Sequence, residues 1–146
     1  MHGVKLGLME LDFSTCLVFN MRVASRAVTR RYDAMLRPYG VTSAQFQLMG
    51  GIRGGKGRTV TELAEENGIE RTSLTRNLDR LERMGLIVSH AASKGNARVC
   101  DLTPSGEVLV EQLVPVWVKA QAEMRDLLSA SDFSATLSVL KRLGRV

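Results

Sequence analysis

Aromatic residues make up only 5% of this 146-residue chain, which argues against single-strand nucleic-acid binding on platforms of stacked rings. Cysteine is equally sparse. Cys16 and Cys100 are far apart and lack metal-ligand spacing, so neither a disulfide framework nor a structural zinc is expected, and a reduced cytoplasm is the natural setting. The histidines, His2 and His90, have no ligand or acid–base partner at helical spacing. With no Ser/His/Asp set, HExxH or CxxC in the chain, the expectation is a protein that is not an enzyme and needs neither metal nor cofactor. No apolar run approaches the roughly 18–20 residues of a membrane span. Residues 1–11 lack a basic stretch followed by an apolar one, so no secretory signal is expected. Gly50, Gly55 and Lys56 imitate the spacing of a phosphate-binding loop. The hydroxyl position after the lysine is Gly57, however, and an amphipathic helix precedes the loop instead of a buried strand.

The chain does carry charge of one sign in excess. A net +5 and a pI near 9.7 favour an anionic partner, while 45% hydrophobic and 24% charged residues fit one globular domain, 1–146. Residues 13–36 have helical periodicity through Phe13, Leu17, Met21, Ala24, Val28 and Met35, and Pro38 and Gly40 end that helix. Thr42 or Ser43 caps a helix over 44–52. Arg53, Lys56 and Arg58 form a basic connector that lies beside a nucleic-acid backbone or in solvent. Helices follow over 60–67 and 72–84, with Gly85 as the stop. Residues 86–91 and 97–102 are rich in β-formers and read as a hairpin with a turn over 93–96. Thr103 and Pro104 restart a helix to about residue 128, in which Pro115 predicts a bend or break. Ser131 caps a last helix over 132–143, whose Leu137, Leu140 and Leu143 form a narrow apolar seam.

The segment 60–81 is the most informative. Two short helices meet at a turn around Gly68, and Leu74, Leu78 and Leu81 give the second helix a buried stripe at i, i+4 and i+7. Its opposite face offers Arg71, Thr72, Ser73, Thr75, Arg76, Asn77 and Arg80, groups that reach phosphates and base edges. A helix-turn-helix followed by a hairpin is a winged helix, so the fold class is mainly α with a small β wing and the expected partner is double-stranded DNA. The lobe spans 43–103. Helices over 12–39 and 104–146 carry more apolar surface than so small a lobe absorbs, which predicts a homodimer presenting two reading helices to a palindromic operator.

The order of elements and several motifs resemble the MarR family of bacterial transcription regulators. The motifs are Leu36-Arg37-Pro38 through Gly40 to Phe46, Thr61-Glu62-Leu63-Ala64, RTSLTR at 71–76, Leu81-Glu82 to Ile87, and Leu102-Thr103 to Gly106. The resemblance runs from about Cys16 to the C-terminus. It implies a dimeric repressor whose DNA affinity falls when a small-molecule effector binds or oxidation occurs. Arg76 matches the family's major-groove arginine, suited to bidentate contact with guanine, the alternative being a solvated arginine paired with Asp79. Thr72, Ser73 and Thr75 read as phosphate or base-edge contacts in preference to caps. Thr61 is either a phosphate donor or a helix cap. The family's wing carries an Asp-x-Arg pair where this chain has Lys94 and Asn96. Lys94 and Arg98 would supply charge to a phosphate or a narrow minor groove instead.

The family's ligand cavity lies between the reading lobe and the dimerisation helices, which makes Phe19, Arg22, Phe46 and Trp117 candidates for its lining. One branch senses peroxides through a cysteine on the first helix. Alignment through residues 24–32 places that cysteine at Val18, about 200° around the helix from Cys16, so a packing role for Cys16 stands beside a redox one. Cys100 reads as packing. The rival function is a winged-helix protein-interaction module that does not bind DNA.

Overall fold

The computed structural model describes residues 12–146 apart from residues 56, 94 and 96. The expectations for Lys56, Lys94 and Asn96 therefore lie outside the described residues. The chain forms two units, Met1–Arg31 and Tyr32–Val146, with the boundary inside the first helix.

In the first unit the expected helix begins later than its periodicity indicated. Asp12 accepts from the Ser14 N–H at 2.9 Å and caps a 3₁₀ turn, Phe13–Thr15. Asn20 Nδ2 then donates to the carbonyls of Ser14 (2.9 Å) and Cys16 (2.8 Å), so local hydrogen bonds take up the groups an α-helical start would need. The α-helix α1 is Leu17–Leu36. The apolar side chains of its first turn are uncovered, with Leu17, Val18 and Phe19 at 61%, 62% and 45% exposure.

In the second unit α1 ends in a 3₁₀ turn, Arg37–Tyr39, closed by Gly40 at φ 77°. Helix α2, Ser43–Gly54, is capped by Thr42 in a reciprocal capping box with Gln45. Helices α3, Val60–Asn67, and α4, Arg71–Arg83, match the sequence boundaries closely. Strands β1, Ile87–Ala91, and β2, Arg98–Leu102, pair antiparallel with Ser89 opposite Cys100, and Thr59 adds an isolated bridge to Val99. Helix α5, Pro104–Leu128, starts as expected at Thr103 but runs unbroken through Pro115, an exposed position where a freed carbonyl is tolerated best. The last helix, α6, Ala130–Leu143, is capped by Ser129 instead of Ser131. Ser129 Oγ accepts from the Asp132 N–H at 3.3 Å.

The core lies under α4. Leu74, Leu78 and Leu81 are fully buried against Leu48, Met49, Leu63, Ile87 and Leu113. Each such leucine contributes roughly 2 kcal/mol of burial, enough to settle which face of α4 points outward. Among the described residues no helix is long and apolar enough to cross a membrane.

Candidate nucleic-acid interface

Burial of the leucine stripe leaves Arg71, Thr72, Arg76 and Arg80 exposed on α4, with Ser73, Thr75 and Asn77 half-buried beside them. The N-cap position is Glu70, which makes no side-chain cap, and Thr72 and Ser73 lie inside the helix. The first-turn N–H groups of α4 thus lack a side-chain acceptor, a geometry that suits a phosphate. Thr61 is exposed on α3 and is not its cap. That role belongs to Thr59, whose Oγ1 accepts from the Glu62 N–H at 3.2 Å. Arg76 makes no ion pair among the described residues, and the pairing with Asp79 considered from sequence does not form.

Asp79 is instead engaged by the wing. Arg98 Nη1 donates to Asp79 Oδ1 at 2.8 Å, Nη2 to Glu82 Oε2 at 3.1 Å, and Nε to Ser89 Oγ at 2.9 Å. Glu82 also accepts the Ser89 N–H at 3.0 Å, so one carboxylate holds both strands. Burial opposes the charge on Arg98. The hydrogen bond to Asp79, with the fields of Cys100, Asp79 and Glu82, outweighs burial and holds the guanidinium pKa above its ordinary value. Two carboxylates on α4 thus take up the charge of Arg98 in this structure. The only sequence signal was Asp79 and Glu82 at i and i+3 on the flank of α4.

The connector arginines are likewise occupied. Arg53 pairs with Glu107, at 3.2 Å, and with Glu111, both on α5, while Arg58 Nη1 pairs with Glu66 at 2.6 Å. Among the described residues, Arg71, Arg76 and Arg80 on α4 form no ion pair, in contrast to Arg53, Arg58 and Arg98.

A small cavity of about 60 Å³, partly open to solvent, lies between the last turn of α1, α2 and α5. Phe46 and Trp117 line it together, along with Tyr32, Met35 and Ala120. Phe19 and Arg22 do not. They line an open groove on the first unit with Phe13, Cys16 and Arg26. Cys16 is half-buried at the end of the 3₁₀ turn, and Cys100 is buried with Sγ 3.5 Å from Ser89 Oγ. The Tyr32 hydroxyl is hydrogen-bonded to Gln121 Oε1, and burial raises its phenol pKa. Among the described residues no cluster of His, Cys, Asp or Glu is arranged to hold a metal.

A MarR family profile matches residues 39–98. The M. tuberculosis transcriptional regulator MosR in complex with DNA is 34% identical, with 89% of this chain and 94% of that one covered at a TM-score of 0.81. A second MosR structure is 32% identical over 92% and 96% of the two chains, at a TM-score of 0.82. The transcriptional repressor CouR, bound to a 23-mer DNA duplex, is 25% identical over 92% and 98%, at a TM-score of 0.81. With the winged helix, the leucine-backed reading helix and these likenesses in agreement, the chain belongs to the MarR family of transcription regulators.

Proposed function

We propose that this regulator acts in the cytoplasm as a homodimeric repressor that reads a palindromic operator in double-stranded DNA and loosens its grip when a small molecule binds. The observation that carries the reading is the charge distribution around α4. Arg71, Arg76 and Arg80 are exposed there, whereas the neighbouring Arg53, Arg58 and Arg98 are all neutralised by carboxylates. An anionic duplex is drawn to α4 and not to its surroundings. Arg76 reads a guanine in the major groove, and Thr72, Ser73 and the uncapped start of α4 hold the phosphates that fix register.

Dimer formation is supported by apolar side chains left wet in one copy. They include Leu17 and Phe19 on α1, Trp117 and Val118 on α5, and Leu137, Val139 and Leu140 on α6 at 40%, 42% and 47% exposure. Arg98 acts as a positioning residue that clamps the wing to α4, and the wing's charge toward DNA falls to Lys94. That loss of one wing cation favours the rival reading of a protein-interaction module, and DNA binding separates the two. Selection of bound duplexes from a random pool should return a palindrome with half-sites about one helical turn apart. Arg76→Ala should then cost about 1–3 kcal/mol on that site in gel-shift titrations and relax base preference locally. Unchanged operator affinity would remove Arg76 from the reading role, and failure to recover any duplex would favour the interaction module.

A further inference from the structure

Resting on the reading that α4 docks in the major groove, we infer that the wing beside it is blind to base sequence, so that this regulator tolerates A·T and G·C pairs equally in the minor-groove segments flanking each half-site. The decisive feature is Arg98, the only arginine between residues 87 and 102. Its Nη1, Nη2 and Nε all donate within the protein, to Asp79, Glu82 and Ser89 at 2.8, 3.1 and 2.9 Å. An arginine selects A·T-rich flanks by entering the narrow minor groove that they form, where the negative potential is deepest. To do so, Arg98 would have to leave two carboxylates uncompensated on α4, the helix that approaches the phosphates. The repulsion so created would offset the contact made.

The rest of the wing offers no substitute. His90 Nδ1 lies 3.3 Å from Asp101 Oδ2, so a carboxylate already faces it. Ala91, Ala92, Ser93, Gly95 and Ala97 are too short to reach the floor of a groove. Asn96 is uncharged, so the potential of a narrow groove does not draw it in. The ammonium of Lys94 is a compact, strongly hydrated charge suited to phosphates of any sequence. The clamp meanwhile fixes the hairpin to α4, because Glu82 also accepts the Ser89 N–H at 3.0 Å. A wing held this way sets the register of the phosphates and leaves base selection to α4.

The test uses a duplex recovered by selection from a random pool, rebuilt with its flanks as A·T pairs or as 2,6-diaminopurine·T pairs. Diaminopurine adds the minor-groove amino group of a G·C pair and leaves the major-groove edge of adenine in place. In anisotropy titrations the unaltered chain should bind the two duplexes within about threefold, whereas a base pair that is read changes affinity about 5- to 150-fold. Asp79→Asn combined with Glu82→Gln frees the guanidinium from both charges and should create a preference for the A·T flanks of more than about threefold. A preference of that size in the unaltered chain would overturn the inference. An indifferent double variant would overturn it too, since the clamp would then not be what keeps Arg98 out of the groove. Failure to recover any duplex would instead refute DNA reading itself, and the inference with it.

Discussion

Replacing Arg98 with alanine separates a clamp from a DNA contact. The substitution removes two ion pairs and the hydrogen bond to Ser89, and changes the local charge from −1 (one arginine against Asp79 and Glu82) to −2. The carboxylates are 46% and 41% exposed, so each pair is worth only ~0.2–1 kcal/mol. Adding a net hydrogen bond of ~0.5–1.5 kcal/mol gives an expected loss of about 1–3.5 kcal/mol at low salt. Urea denaturation should read that loss, and it should shrink as salt screens the pairs. A cycle with Asp79→Asn should return a coupling of about 0.5–1 kcal/mol. DNA binding provides the counter-test. A phosphate contact would lower the salt slope by about one per protomer on substitution, whereas loosening the wing should leave the slope in place while weakening affinity. Undiminished stability together with a slope reduced by one would refute the clamp.

Gly106→Ala should destabilise the fold by about 1–3 kcal/mol despite a helix-propensity gain of about 1 kcal/mol. The added Cβ would sit 2.1 Å from the Leu86 carbonyl oxygen, a backbone atom that cannot swing aside, and a urea midpoint equal to wild type would show that α5 does not press on Leu86 there. The raised Tyr32 pKa has a definite sign: the folded state keeps a proton that the unfolded chain releases near pH 10. Its stabilising contribution is complete below about pH 10 and is lost as pH rises through the raised value, so Tyr32→Phe should lose less stability than wild type between pH 9 and 11 in paired urea titrations. Leu140→Glu places a charge in the exposed seam of α6 and should shift sedimentation equilibrium toward monomer. An unaltered association constant would move the proposed dimer contact away from α6.

The parts of the fold that were legible in the sequence are those governed by local periodicity. The stripe Leu74, Leu78, Leu81 placed α4 within a residue because a helix that buries one face repeats its apolar positions along the chain. The β-formers of the wing, set about a Gly-containing turn, likewise located both strands within a residue. Ends decided by side-chain competition were less readable. Two serines flank Ala130, and the helix takes Ser129, which adopts a left-handed φ of 72° that nothing in its residue type announces. The role of Arg98 was hidden for another reason. Its partners lie 19 and 16 residues away, and a cation considered singly looks available whenever its neutralising carboxylates belong to another element. Phe46 and Trp117, which the family resemblance offers as cavity lining, do share one cavity, whereas Phe19 and Arg22 line a different groove, because sequence alone does not say which side chains of separate helices converge.

The same contacts limit how an effector can act. Thr103 Oγ1 donates to the Gly85 carbonyl at 2.6 Å and the Thr103 N–H to the Leu86 carbonyl at 3.0 Å, while Arg53 ties α2 to Glu107 and Glu111. The lobe is thus fastened to the first turns of α5 from two sides. It will move as a body with that end of the helix before it deforms within itself. Under the proposed function, a ligand wedged between α2 and α5 would bind tighter to whichever lobe orientation opens the cavity, and only that difference in affinity would shift the population. In the proposed dimer both half-sites must be engaged at once for the second contact to gain from proximity, so a small change in lobe orientation would forfeit that avidity without altering any residue on α4. Effector-resistant variants should therefore map to the α2–α5 seam and leave the monomeric half-site affinity of α4 intact, whereas the same phenotype mapping to Arg71, Arg76 or Arg80 would indicate that the ligand competes with DNA directly.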